Sequence, residues 1–152
     1  MTSDELREEV GIELDAMTEI VAEAIRLYKD IGDNTPNLRE KTAAGAFLAH
    51  FYNGVENILK RICYFYNKPL PEGANWHISL FKRFCKPSEN PLPVIFDERL
   101  AEKISPFRSF RHIFFHCYGF QLDWEVMKEG IRELENILSD FKSAVSSFLQ
   151  FL

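Results

Sequence analysis

The chain has 152 residues, 46% of them hydrophobic and 27% charged, which suits a single soluble domain that buries about two-thirds of its unfolded surface. A net charge of −5 excludes a protein that coats nucleic acid with a uniformly basic surface, so any positive site must be local. The three cysteines, Cys63, Cys85 and Cys117, form no C-x-x-C pair; a disulfide framework and a zinc cluster are disfavoured, and a reducing cytoplasm is the expected setting.

The first segment, about residues 3–31, carries Leu14, Met17, Val21, Ala24, Tyr28 and Ile31 in steps of three and four. That spacing predicts an amphipathic helix. Thr2 and Glu5 are placed for a capping box. The N-terminus lacks the basic and apolar regions of a signal peptide. No apolar run approaches the roughly eighteen residues of a membrane span. GDNTPN at 32–37 reads as a turn, with Gly32 ending one helix and Pro36 opening the next.

A second helix is predicted over about 38–66, with its stripe at Ala44, Leu48, Phe51, Val55, Ile58, Ile62 and Phe65. NKPLPEG breaks it. A short helix, WHISLFKRFCK, follows at about 76–86, and then the proline-rich loop PSENPLPV. The 67–95 stretch reads as an elaborated connection between bundle helices.

The fourth helical region spans about 97–118. Pro106 lies inside it and Ser105 is placed to cap a fresh start, which predicts a kink or break there. Gly119 is a plausible terminating residue. Asp123 reads as the N-cap of the last helix, with Leu122 and Met127 placed for a hydrophobic staple. That helix carries the cleanest stripe of the chain, from Met127 through Leu138 to Leu152. No period-2 strand pattern, internal repeat or linker interrupts these elements. The expected fold is all-α: one domain over residues 1–152, an antiparallel bundle of four long helices plus a short extra one.

Within the fourth helix, RSFRHIFFHCYG (108–119) sorts into two faces at about 100° per residue. Phe107, Phe110, Ile113, Phe114 and Cys117 make an apolar face. Arg108, Arg111, His112 and His116 fall on an arc of about 140°. Most such arcs are solvated faces. This one contains no Lys or Glu, and its members suit phosphate chemistry: a permanently charged, bidentate guanidinium, and imidazoles that gain and lose protons near neutrality. On a straight helix Arg111 and His116 diverge by about 140°. They converge if the helix ends near His116, or if two copies meet at a dimer axis. His112 and His116 are also spaced to share a zinc ion, but no carboxylate joins them on the arc. Glu56 and Asn57 of the second helix could orient Arg111, although a solvated face is the commoner fate. Lys82, Arg83 and Lys86 could meet an RNA backbone, but ordinary surface charge is the simpler reading. His50, His77 and Cys117 read as structural.

Arg111–Tyr118 forms R-x-x-x-x-H-x-Y, with a polar His112 after the arginine. This resembles the signature of the HEPN superfamily, specifically of HepT-like toxins. The surrounding FRHIFFHCYGFQLDWEVM is similar to that family's motif helix, turn and final helix, and FLAHFYNGVENILKRI (47–62) is similar to its second helix. The resemblance covers about residues 5–150, and the proline-rich 67–95 insert departs from shorter members. It implies a metal-independent endoribonuclease without a cofactor, acting as the toxin of a prokaryotic toxin–antitoxin pair. Arg111 and His116 would be catalytic, with His112 and Arg108 in support. The implied partners are RNA, a second copy of the chain, and a minimal nucleotidyltransferase antitoxin that transfers AMP to Tyr118. Two other classes stand beside this one. One is a non-catalytic HEPN module that docks a nucleotidyltransferase or nucleotide; the other is a helical metal-binding or regulatory protein.

Overall fold

The computed structural model describes residues 1–152. The first helix, α1 (Ser3–Ile31), begins with the expected capping box: the Thr2 hydroxyl accepts from the Glu5 amide at 3.1 Å, and the Glu5 carboxylate accepts from the Thr2 amide at 3.0 Å. Gly32 ends it by donating to the Tyr28 carbonyl. A second capping box, Asn37 with Glu40, starts α2 (Leu38–Phe65). Pro36 therefore sits outside that helix rather than opening it, because Asn37 supplies the side-chain acceptor that the first amides need.

The short helix α3 (Trp76–Lys82) stops four residues before the expected end at Lys86. The chain instead turns back so that Cys85 forms an isolated bridge with Phe96, and both Ile95 and Phe96 donate to the Phe84 carbonyl. The connection is part of the core, since Phe81, Phe84, Leu92, Ile95 and Phe96 are all buried.

Asp97 caps α4 (Glu98–His116), which runs through Pro106 without the expected break. Ser105 does not cap a new start; its hydroxyl donates to the Ala101 carbonyl at 2.6 Å, within the preceding turn. After α4 come a single 3-10 turn, Gly119–Gln121, and α5 (Trp124–Gln150), capped by Asp123. Leu122 and Met127 are both buried, as a staple requires. Gly119 is not needed for a left-handed cap. Its role is close approach: a Cβ there would lie 2.4 Å from the Thr42 hydroxyl of α2.

The four long helices run antiparallel to their neighbours. Arg61 near the end of α2 pairs with Glu9 and Glu13 near the start of α1, and Arg7 of α1 donates to the Leu149 and Leu152 carbonyls at the end of α5. On the other side Phe51 meets Phe107 while Gly45 faces Phe114, which fixes α2 against α4 in opposite directions. The fold is thus the expected all-α bundle, with α2 at its centre touching every other helix. Aromatic rings knit the layers: Phe51 and Phe107 meet edge-to-face at 5.4 Å, and Phe96 bridges Phe81 and Phe141. No helix is long and apolar enough to cross a membrane.

Candidate active site

Antiparallel packing of α4 on α2 lays Arg111 across one turn of α2. Its Nε donates to the Asn53 side-chain carbonyl and lies 3.7 Å from Glu56 Oε1. Asn53 and Glu56 share a face because they are three residues apart on a helix. The remaining partner comes from α3: His77 Nδ1 lies 2.5 Å from Glu56 Oε2. Glu56 is 2% exposed and is the one buried charged residue of the chain. A carboxylate that deep is costly unless it is paired. Here it has a cation on one oxygen and an imidazole on the other.

This arrangement leaves Arg111 anchored at its root. The Nε edge is occupied, the guanidinium lies over the Phe115 ring at 5.2 Å, and its second terminal nitrogen makes no hydrogen bond within the protein. Beside it is a cleft of about 400 Å³, walled by Tyr52 of α2, His77 and Ile78 of α3, and Arg108, Arg111 and His112 of α4. Arg108 rests over the Phe81 ring at 4.9 Å. Two guanidinium groups therefore face a common space, the arrangement that recognises phosphate oxygens.

The four residues of the expected strip are not all in one place. Arg108, Arg111 and His112 line the cleft. His116 does not line it; it is exposed, and its ring packs on His112 with centroids 4.4 Å apart. The helix does end at His116, with Cys117 already extended. Tyr118, also in extended backbone, is thereby released from the helical wheel that placed it near Arg111. It is 72% exposed and stacks in parallel on Phe120 with centroids 5.6 Å apart. No group of three or more His, Cys, Asp or Glu side chains is placed to hold a metal ion.

Several expectations need correction. Ile113 belongs to the surface and not to the apolar face: it is 53% exposed, because the α2 seam accepts Phe110 and Phe114 and leaves that flank open. Glu56 orients Arg111, but Asn57 does not; one position off the shared face, its amide meets Glu13 of α1. Asn53 takes its place. His77, read from sequence as structural, pairs with Glu56 and also walls the cleft. Its sequence signal was faint, a histidine beside a tryptophan in a short helix, since the contact depends on how the 67–95 connection folds back. Arg83 is committed to the Pro69 carbonyl and Glu89. His50 is exposed. Cys117 packs half-buried against the core.

The Tyr52 hydroxyl is buried at the base of the cleft and has no hydrogen-bond partner in the protein. Burial pushes this phenol well above its ordinary range, the nearby Glu56 carboxylate adds to the rise, and Arg108 and Arg111 oppose it. An unsatisfied buried hydroxyl destabilises a fold by about 1–3 kcal/mol. Tyr52→Phe, which removes only that oxygen, is therefore expected to stabilise the protein by about 1 kcal/mol. A rise in the urea midpoint at unchanged slope checks this; an unchanged or lowered midpoint contradicts it.

A helical bundle whose α4 carries Arg111 beside a cationic cleft and ends at His116, with Tyr118 two residues beyond, has the build of a HEPN domain. A family model described as HepT-like protein matches residues 43–152, and the chain belongs to that family. No curated protein and no solved structure matches it.

Proposed function

We propose that the protein is a metal-independent endoribonuclease, the toxin of a cytoplasmic toxin–antitoxin pair. The observation that carries this reading is Arg111: a guanidinium anchored by Asn53 and Glu56, with its free end beside a cleft that a second guanidinium also faces. The family is generally associated with ribonuclease activity. RNA supplies its own nucleophile, the 2′-hydroxyl. Cleavage then requires a proton acceptor, charge stabilisation at phosphorus and a proton for the departing 5′-oxygen. Arg111 stabilises the charge, Arg108 and His112 hold the backbone, and His116 is an acid–base group. No step calls for a metal. Incubation of the purified protein with total tRNA in EDTA tests the reading. Cleavage is expected; its absence, or its dependence on added zinc, overturns it.

The same reading includes a homodimer. Ile113, Phe115, Tyr118 and Phe120 are each more than half exposed and flank the His112–His116 pair. Such an apolar group on the motif side favours a two-fold partner that brings a second His116 toward each cleft. Light scattering that returns a monomer at tens of micromolar, an ordinary concentration for a stable interface, counts against it.

Control is assigned to Tyr118. The partner is a minimal nucleotidyltransferase: the Tyr118 oxygen attacks the α-phosphorus of ATP, pyrophosphate leaves, and the phenolic proton passes to solvent. The exposure of this hydroxyl supports the assignment. Tyr118→Phe is expected to keep most ribonuclease activity, because a phenol carries no proton in cleavage at neutral pH, and to escape silencing. Intact-mass measurement after co-expression with the nucleotidyltransferase checks this. An AMP adduct that persists in the variant places the modification elsewhere, and a variant that is still fully silenced points to simple docking, the reading in which the partner binds without transferring AMP.

A further inference from the structure

We infer that His77, contributed by α3 of the 67–95 connection, is the general base that takes the 2′-hydroxyl proton, held in its basic tautomer by the buried carboxylate of Glu56. This inference rests on the ribonuclease reading and adds a residue that lies outside the Arg-x4-His strip.

The argument begins with the 2.5 Å contact between His77 Nδ1 and Glu56 Oε2. An ionised carboxylate only accepts hydrogen bonds, so the ring proton is assigned to Nδ1. Nε2 then carries the lone pair. Arg111 Nη1 lies 3.5 Å from Nδ1 and 3.4 Å from Nε2. With the proton on Nδ1, Nε2 is the acceptor of that long Arg111 contact. A 2′-hydroxyl entering the cleft that His77 walls takes its place, as Arg111 turns to the phosphate. The Trp76 ring, 3.5 Å from the His77 ring between centroids, fixes its plane. A carboxylate on Nδ1 also stabilises the imidazolium that forms when Nε2 takes a proton, the same division of labour as in acid–histidine pairs of hydrolases.

The titratable and charged groups around His77 come from two helices. Glu56 and Tyr52 face it from α2, and Lys60 of α2 lies over the ring of the neighbouring Trp76. Arg108, Arg111 and His112 face it from α4. A phosphodiester held by the two guanidiniums is thus beside both a base and a route, through His112, to His116.

The reaction balances as follows. His77 Nε2 accepts the 2′-hydroxyl proton while the 2′-oxygen forms a bond to phosphorus. The bond from phosphorus to the 5′-oxygen breaks, and that oxygen receives a proton from protonated His116 by way of His112, which lines the cleft. The products are a 2′,3′-cyclic phosphate and a 5′-hydroxyl. His77 leaves protonated and His116 neutral, and exchange with water restores both.

The test uses full-length protein and two substrates: an ordinary oligoribonucleotide, and one whose scissile 5′-oxygen is replaced by sulfur, a thiolate that leaves without a proton. His77→Ala is expected to lower kcat on both by about 10²-fold or more, with little change in KM, and to remove the limb on which the rate rises with pH. His116→Ala is expected to recover on the sulfur substrate alone. His77→Gln keeps a donor to Glu56 but no base, so it is expected to remain slow; recovery of activity in His77→Gln shows a merely structural role and overturns the proposal. So does wild-type activity in His77→Ala, or rescue of that variant by sulfur, which makes His77 the acid. Nitrogen-15 NMR of the imidazoles reads the tautomer independently of activity, and a proton on Nε2 overturns the assignment. A wild-type chain that cuts neither substrate overturns the ribonuclease reading, and this proposal falls with it.

Discussion

Arg111→Ala is expected to lower RNA cleavage by about 10²–10³-fold, the usual loss when one stabiliser of transition-state charge is removed. The geometry adds a second effect. Arg111 lies 3.7 Å from the 2%-exposed Glu56, and removing one partner of a buried pair strands the other charge. Because His77 remains on the second oxygen, the stability loss is expected to be about 2 kcal/mol, below the 3–5 kcal/mol of a fully stranded charge. Arg111→Lys separates the two effects. A cation stays beside Glu56, so stability is expected to be largely kept, while the planar two-point fork that grips a phosphate is lost and cleavage stays low. Urea denaturation and a tRNA cleavage assay on both variants check this. Wild-type cleavage in Arg111→Lys would show that Arg111 acts only by holding the fold.

The largest loss of stability is expected from Phe107→Ala. Phe107 is 5% exposed, meets Phe51 edge-to-face at 5.4 Å, and lies against Gly130 of α5. It therefore joins α2, α4 and α5 at one point, on the turn of α4 that precedes Arg111. Truncating a buried phenylalanine removes its transfer free energy and leaves a cavity, for a total of about 3–5 kcal/mol. Against the roughly 5–15 kcal/mol that holds a domain together, that is a large share. A urea midpoint within experimental error of the wild type would show that the α2–α4 seam collapses to fill the space.

The helices were legible because their apolar residues recur in steps of three and four and their caps are local. The Thr2–Glu5 box and the Asp123 cap involve residues two or three apart, so neighbouring letters determine them. Of the kink or break expected at Pro106, the break does not occur: the rule that proline breaks a helix is also local, whereas here Phe107 and Ile104 are buried on either side and hold the helix together. The strip residues Arg108, Arg111 and His112 could be read from the helical wheel. Its limit was reached at Ile113, whose exposure depends on where the seam with α2 lies, and at Tyr118, which is outside the helix. Asn53 and His77 were beyond reach for a different reason. Each meets the site through tertiary contacts, and a side-chain amide on α2 or a histidine in a connection looks ordinary until the bundle closes.

The buried network around Glu56 also sets the order in which the cleft is assembled. Its contacts span 21 residues from Glu56 to His77 and 58 from Asn53 to Arg111, so α2, the connection and α4 must all dock before the cleft exists. During synthesis, Arg111 is still unmade when the Asn53–Glu56 turn leaves the ribosome. The seam that then seats it includes Phe107, which lies against Gly130 of α5, a helix made later still. A nascent chain therefore carries the residues of the site long before it carries the site itself.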